Sequence, residues 1–151
     1  MRQAFTMIEL VFVIVMLGIL AAVAIPKLAA TRSDAEVSVM AQNIMTGAGE
    51  IASYAMAKGT TLDDLSVMSN AISILTSKGA AVLDTDDKKA TIALGDVADC
   101  VTVEIATGVY DENLTISFGA SNGDVKCESL QNLIDAQQYP MQLRGQLVRT
   151  R

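Results

Sequence analysis

Carboxylates and cysteines are the residue types in this chain that could carry out chemistry. The sequence has 17 Asp and Glu residues, two cysteines and no histidine. Without histidine the chain cannot build a Ser-His-Asp or Cys-His pair, and the usual general base is missing. A hydrolase would need two carboxylates flanking one bond, and no two acids here have a spacing that indicates such a site. The sequence therefore predicts a protein that is not an enzyme.

Composition narrows the remaining function classes. The 151 residues are enough for one ordinary domain, and they are 51% hydrophobic but only 4% aromatic. The apolar residues are concentrated at the N-terminus. The net charge of -6 repels nucleic acids and anionic lipid surfaces, so no nucleic-acid partner is expected.

Glu9 is the acid in the most unusual position. It lies near the start of an otherwise apolar run, residues 5–25, which as a helix would rise about 31 Å and could cross a bilayer. A charged group inside the hydrocarbon costs about 2.5 to 3.5 kcal/mol on insertion scales. Glu9 therefore needs either water or a partner.

Two ordinary interpretations account for this segment. In the first, Glu9 reaches the headgroups and residues 5–25 serve only as a single-pass anchor. In the second, the segment is a secretory signal, with Arg2 as its charged region, residues 10–20 as its apolar core and residues 22–24 as a small-residue cleavage site. Either interpretation gives an anchored or secreted binding domain that does not polymerise.

A third interpretation comes from Ala4, Phe5, Thr6, Glu9 and Pro26 together with the apolar run between the last two. These residues resemble the N-terminal signature of type IV pilins and of the pseudopilins of type II secretion. In that family a short basic leader precedes a phenylalanine that opens the mature chain, and the fifth mature residue is glutamate. The family usually has glycine where this chain has Ala4.

The resemblance implies a three-part organisation. Residues 1–4 are a leader that a prepilin peptidase removes by cutting between Ala4 and Phe5, and the new amine of Phe5 is methylated. Residues 5–25 form a transmembrane helix that becomes the filament core, and residues 26–151 form a periplasmic or extracellular head. The chain would be a structural subunit of a type IV pilus or a type II secretion pseudopilus.

The resemblance also implies the partners and the location. The partners are identical or related pilin subunits, the prepilin peptidase, an inner-membrane assembly platform with its ATPase, and membrane lipid before assembly; no cofactor is expected. The subunit would cross the bacterial inner membrane once, with its N-terminus in the cytoplasm, before it enters a periplasmic or cell-surface filament. Glu9 and Pro26 would be the assembly residues, Glu9 by pairing with the N-terminal amine of a neighbouring copy.

Apolar spacing predicts two helices after Pro26. Apolar positions recur every three or four residues up to Lys58, so the first helix continues to that point and Gly59 ends it. Its two interior glycines, Gly47 and Gly49, predict a soft stretch. A second helix is expected over residues 61–79, with Thr61 and Asp64 as a variant of the capping box.

The rest of the chain predicts an antiparallel sheet, which makes the fold α+β: a long N-terminal helix packed against a small sheet head with an extra helix. An Asn-Gly turn at Asn122 predicts a hairpin between the last two strands, and a short helix is expected around Leu130. Residues 139–151 show no clear pattern. The predicted strands are residues 91–94, 101–105, 114–118 and 125–127.

Cys100 and Cys127 are an even pair in the part of the chain that would lie outside the cytoplasm. A disulfide is expected, with two separately buried thiols as the alternative. Closing a loop of about 28 residues would stabilise the fold by about 3.6 kcal/mol on the chain-entropy estimate. Pilins often carry such a bridge, and two thiolates without histidine would leave a zinc shell half empty.

Three aspartates are candidate calcium ligands, and a solvated turn is the alternative. Some major pseudopilins bind calcium in the head, but the spacing here is not that of an EF-hand, since two lysines follow and the loop glycine is missing. Asn113 formally begins a glycosylation motif, which is interpreted as the start of a strand. The three candidate ligands are Asp84, Asp86 and Asp87.

Overall fold

A computed structural model describes residues 6–108 and 111–145, and the predicted α+β fold is confirmed. The chain divides into two compact units, Met1–Glu36 and Val37–Arg151, and helix α1 contributes to both. The second unit contains the sheet and the other helices. The helices are α1 Met7–Lys58, α2 Leu65–Met68, α3 Asn70–Ser77 and α4 Val125–Leu133; the strands are β1 Ala81–Asp84, β2 Lys89–Leu94, β3 Val97–Thr107, β4 Asp111–Phe118 and β5 Met141–Gly145.

The two parts of α1 differ in what surrounds them. From Thr6 to Arg32 every residue is exposed, so the described part of the first unit has no core of its own. From Val37 onward, one stripe of α1 at helical spacing is buried in the core of the second unit, as the sequence predicts. The helix ends at Lys58, where Gly59 takes the left-handed conformation with φ 68°, which glycine adopts without strain.

Gly47 has a packing role that the sequence did not reveal. A Cβ atom built at Gly47 would lie 3.0 Å from both Cγ1 and Cδ1 of Ile72 and 3.3 Å from Oγ of Ser69. Gly47 therefore lets α3 approach α1 closely. Gly49 faces open space, because nothing lies within 4 Å of a Cβ atom at that position.

The single helix predicted for residues 61–79 is wrong, because the chain breaks at Ser69. Ser69 is extended, with φ -139° and ψ 122°, and it separates α2 from α3. Each helix has its own cap: Asp64 accepts from the N–H of Ser66 at 2.8 Å, and Ser69 Oγ accepts from the N–H of Ile72 at 3.1 Å. Thr61, the predicted cap, instead donates to Glu112 far along the chain.

The five strands form an antiparallel meander in the order β1-β2-β3-β4-β5. Alternate residues of β2, β3 and β4 are buried against the helices, because side chains alternate between the two faces of a strand. The three predicted strands at 91–94, 101–105 and 114–118 are confirmed and are longer than predicted. Strands β1 and β5 were not predicted.

The fourth predicted strand, residues 125–127, is wrong, since these residues begin helix α4. Asn122 and Gly123 do form a turn with positive φ angles of 51° and 84°, but the turn leads into a helix and not into a hairpin strand. The reason is Asp124, whose Oδ1 accepts from the N–H of Cys127 at 2.9 Å and caps α4. The predicted helical turn around Leu130 is part of the same helix.

Candidate functional site

The first turn of α1 holds the candidate assembly residue Glu9. Thr6 precedes the helix, and its Oγ1 accepts from the N–H of Glu9 at 3.3 Å and donates to Glu9 Oε2 at 3.4 Å. Thr6 thus caps the start of α1 and makes one half of a capping box, since its hydroxyl accepts from the N–H three residues later. Among the residues that the structure describes, no lysine or arginine forms an ion pair with Glu9. Within the described chain, the partner of this carboxylate is the hydroxyl of Thr6.

The segment after Glu9 is an apolar helix that nothing in the described chain covers. Fifteen large apolar side chains between Met7 and Leu28 are each 48–86% exposed. Covering their exposed surface would contribute on the order of 15 to 30 kcal/mol, at about 1 to 2 kcal/mol per side chain, because each is already partly covered by its neighbours on the helix. Soluble monomers rarely expose contiguous apolar patches of more than a few hundred Å². This surface therefore requires lipid or another protein around it.

Length and composition allow this helix to cross a membrane. It is the one such helix among the described residues, and none of its apolar window is buried inside the protein. A membrane anchor is thus supported at this coarse level. Pro26 lies within α1 and is exposed; it lacks an N–H and so cannot donate a helix hydrogen bond. The predicted cleavage residues Ala4 and Phe5 lie outside the described residues.

The predicted disulfide is confirmed. Cys100 on β3 and Cys127 on α4 are joined, with Cα atoms 5.7 Å apart, and both residues are fully buried. Gln131 reinforces the link, because its Nε2 donates to the carbonyl oxygens of Cys100 and Gly119, each at 2.9 Å. The disulfide and the side-chain amide of Gln131 together hold α4 against β3 and the end of β4.

A buried polar cluster around Glu112 was missed in the sequence. Glu112 is 4% exposed, and its Oε1 accepts from Thr61 Oγ1 at 2.8 Å and from Lys88 Nζ at 3.2 Å. Arg144 Nε lies 3.5 Å from Oε2. Burial raises the pKa of Glu112, but the bonds from Thr61 and Lys88 and the two positive charges outweigh it and hold the pKa below its ordinary value. The sequence did contain a signal for the burial of Glu112, because it lies at alternate positions with Leu114 and Ile116 and therefore on the same buried face of β4.

Glu50 connects α1 to α3 in a similar way. Its Oε2 accepts from the N–H of Ala71 at 3.0 Å and from Ser69 Oγ at 2.7 Å. These hydrogen bonds, first that from Ala71 and then that from Ser69, lower the pKa of Glu50. Both clusters hold the head together.

The candidate calcium ligands lie at the end of β1, in the case of Asp84, and in the turn between β1 and β2, in the case of Asp86 and Asp87. Lys89 Nζ lies 3.8 Å from Asp84 Oδ2 and 3.5 Å from Asp87 Oδ2, and Asp86 is exposed. Within the described residues, no group of three or more Asp, Glu, His or Cys side chains could hold a metal ion. Asn113 lies inside β4, where its Nδ2 donates to Asp111 Oδ2 at 3.0 Å.

Comparisons with known protein families, with curated proteins and with solved structures find no match to this chain. Two features of the chain's own residues bear on its function: the exposed apolar helix with its single carboxylate, Glu9, and the disulfide-linked head.

Proposed function

We propose that this protein is a structural subunit of a type IV pilus or of a type II secretion pseudopilus, assembled through its N-terminal helix and without catalytic activity. The observation that carries the proposal is the apolar surface of α1, which is exposed between Met7 and Leu28 although the head has a complete core of its own. Lipid covers this surface before assembly, and the helices of other copies cover it afterwards.

Glu9 favours a filament over a plain anchor. An anchor needs only apolar residues in the bilayer, whereas a carboxylate on the same helix costs free energy unless a cation meets it. Its observed partner, the hydroxyl of Thr6, supplies no charge. Cleavage before Phe5 would create an amine on every copy, and a carboxylate and an amine about 4 Å apart gain roughly 4 kcal/mol at an effective dielectric of about 20. Glu9 would thus fix the register between neighbouring helices.

The disulfide supports a head outside the cytoplasm. Bridges such as that between Cys100 and Cys127 persist in the periplasm and at the cell surface, whereas cytoplasmic thiols are kept reduced. With a head on that side, the N-terminus of a single-pass chain would lie in the cytoplasm, where the prepilin peptidase cuts in this family. An inner-membrane platform with its ATPase would then transfer subunits from the membrane into the filament.

The test is Glu9→Gln in the full-length chain, expressed with its native assembly proteins. We expect the variant to be cut and inserted normally, because the amide keeps the size and the helix cap, but to form no filaments. Glu128→Gln is the matched control, since Glu128 is an exposed acid on α4 and its loss leaves α1 unchanged. Cleavage is read by intact mass and assembly by electron microscopy. Normal filaments from Glu9→Gln would contradict the proposed role of this residue.

A further inference from the structure

The sheet of the head has two open edges. Within the described residues, β1 pairs only with β2, and β5 pairs only with β4. An edge strand presents unpaired backbone N–H and C=O groups that can receive another chain. The two edges are separated by four inter-strand spacings of about 4.8 Å each, so they cannot meet within one molecule.

The edge formed by β1 is acidic. The turn that follows β1 carries Asp86, which is exposed and forms no hydrogen bond or ion pair with any described residue. Its neighbours Asp84 and Asp87 share Lys89, and Lys88 points inward to Glu112 at 3.2 Å. Negative charge therefore remains on the outer side of this edge.

The edge formed by β5 carries one exposed basic side chain, Arg144. Gln142 and Arg144 are its exposed residues. Arg144 has Nε 3.5 Å from Glu112 Oε2, but its side chain is still 54% exposed. A guanidinium group has five N–H donors, so Arg144 can bind a second carboxylate at the surface.

The two charged edges lie at the same end of the sheet. The carbonyl of Lys88, in the acidic turn, accepts from the N–H of Ile105 on β3. Arg144 of β5 pairs with Glu112 of β4, and Glu112 pairs with Thr107 of β3. Thr107 lies two residues beyond Ile105 on the same strand. Two residues of a strand span about 7 Å, which is within the reach of an arginine side chain.

We propose that β5 of one copy docks beside β1 of a second copy of this chain, with Arg144 facing the carboxylate of Asp86. The proposal rests on the proposed function, because insertion of every N-terminal helix in one direction gives all copies the same polarity. Copies of one polarity present opposite edges to each other, and such heterologous contacts build open helical filaments. β1 and β5 run in the same direction in the meander, so the contact between copies is parallel.

The charges would set orientation and register, while the apolar helices hold the copies together. An exposed ion pair adds little affinity by itself, but opposite charges suppress wrong arrangements of the heads. Breaking this contact should therefore change how heads are arranged before it abolishes the filament.

Cysteine crosslinking of the full-length chain tests the contact. In the double variant Thr85→Cys/Gln142→Cys, which keeps both Asp86 and Arg144, oxidised filaments should give a ladder of dimers and higher multimers on a non-reducing gel; Thr85 is exposed in the same turn as Asp86. The native cysteines cannot contribute, because both are buried in their own bridge. Val82→Cys/Gln142→Cys is the control, because Val82 is also exposed on β1. Through the strand pairing, Val82 is in register with Thr102 of β3, whereas Gln142 is in register with Ala106 of the same strand. The control pair is thus offset by about 13 Å and should give no ladder.

Co-expression of the two single variants, Thr85→Cys and Gln142→Cys, provides a second readout if the double variant assembles poorly. Mixed filaments should then yield crosslinked dimers and no larger species. Filaments that form normally but give no crosslink in either experiment would overturn the docking of the two edges and leave the proposed function standing. If the wild-type chain forms no filaments at all, both proposals are wrong.

Discussion

A glycine pair on α1 provides a sharp test of how the head is packed. Alanine gains about 1 kcal/mol of helix propensity over glycine inside a helix. At Gly49 a methyl group meets open space, so Gly49→Ala should stabilise the head by about that amount. At Gly47 the same methyl group would lie 3.0 Å from two carbons of Ile72, a side chain with no exposed surface. Overpacking of this kind costs about 1 to 3 kcal/mol, so the gain is cancelled or reversed.

Urea unfolding of the full chain in detergent, followed by circular dichroism, measures the difference. We expect Gly47→Ala to be less stable than Gly49→Ala by about 1 to 3 kcal/mol, with unchanged m-values because both variants bury the same surface. The two substitutions are chemically identical and only two positions apart. If Gly47→Ala is as stable as Gly49→Ala, the close approach of α3 to α1 is wrong.

The head allows two further predictions. Cys100→Ser/Cys127→Ser should lower the free energy of unfolding, measured in urea, by about 3.6 kcal/mol. Gln131→Glu, which keeps the bridge, should lower the free energy of unfolding by less than this double variant. The pKa of Glu112 is lowered in the folded protein, so its stabilising effect is present above the ordinary carboxyl pKa of about 4.3 and is lost as the pH falls through the lowered value. Stability should therefore fall more steeply below about pH 4 in the wild type than in Glu112→Gln, and equal slopes would contradict the ionised pair with Lys88.

The sequence predicted the elements whose pattern is long. The buried stripe of α1 extends over five turns and is followed by a glycine. Buried and half-buried positions alternate around Ile92, Val103 and Ile116 in the three central strands. Hydrophobic periodicity is the strongest local signal for both kinds of element. It was sufficient for the fold class, for the limit of α1 at Lys58 and for three of the strands.

Short elements depended on contacts that the sequence does not display. The apolar spacing of residues 125–127 fits a strand, but Asp124 caps a helix there and its other oxygen, Oδ2, accepts from the N–H of Asp96 at 3.1 Å. Ser69 interrupts the predicted second helix because its hydroxyl donates a hydrogen bond to Glu50 on α1. β5 contains one buried apolar residue, Leu143, so no alternation was visible. In each case a contact distant in sequence overrides local propensity.

In the candidate site, too, the sequence predicted the residues that form a local pattern and missed those that meet only through distant contacts. Glu9, Pro26 and the apolar run are visible in the sequence because they form one continuous pattern. The structure adds that the hydroxyl of Thr6 donates a hydrogen bond to Glu9 and that no described residue covers any face of the run. The cluster around Glu112 could not be assembled from the sequence, because Thr61 lies 51 residues away from it.

The intact mass and the N-terminal residue of the protein purified from its native membrane test the filament account most directly. The account predicts a chain that begins at Phe5 and carries one added methyl group. A chain that begins at Ile25 would mean ordinary secretion, and a chain that still begins at Met1 would mean a plain membrane anchor. Either of these results would contradict assembly through the N-terminal helix.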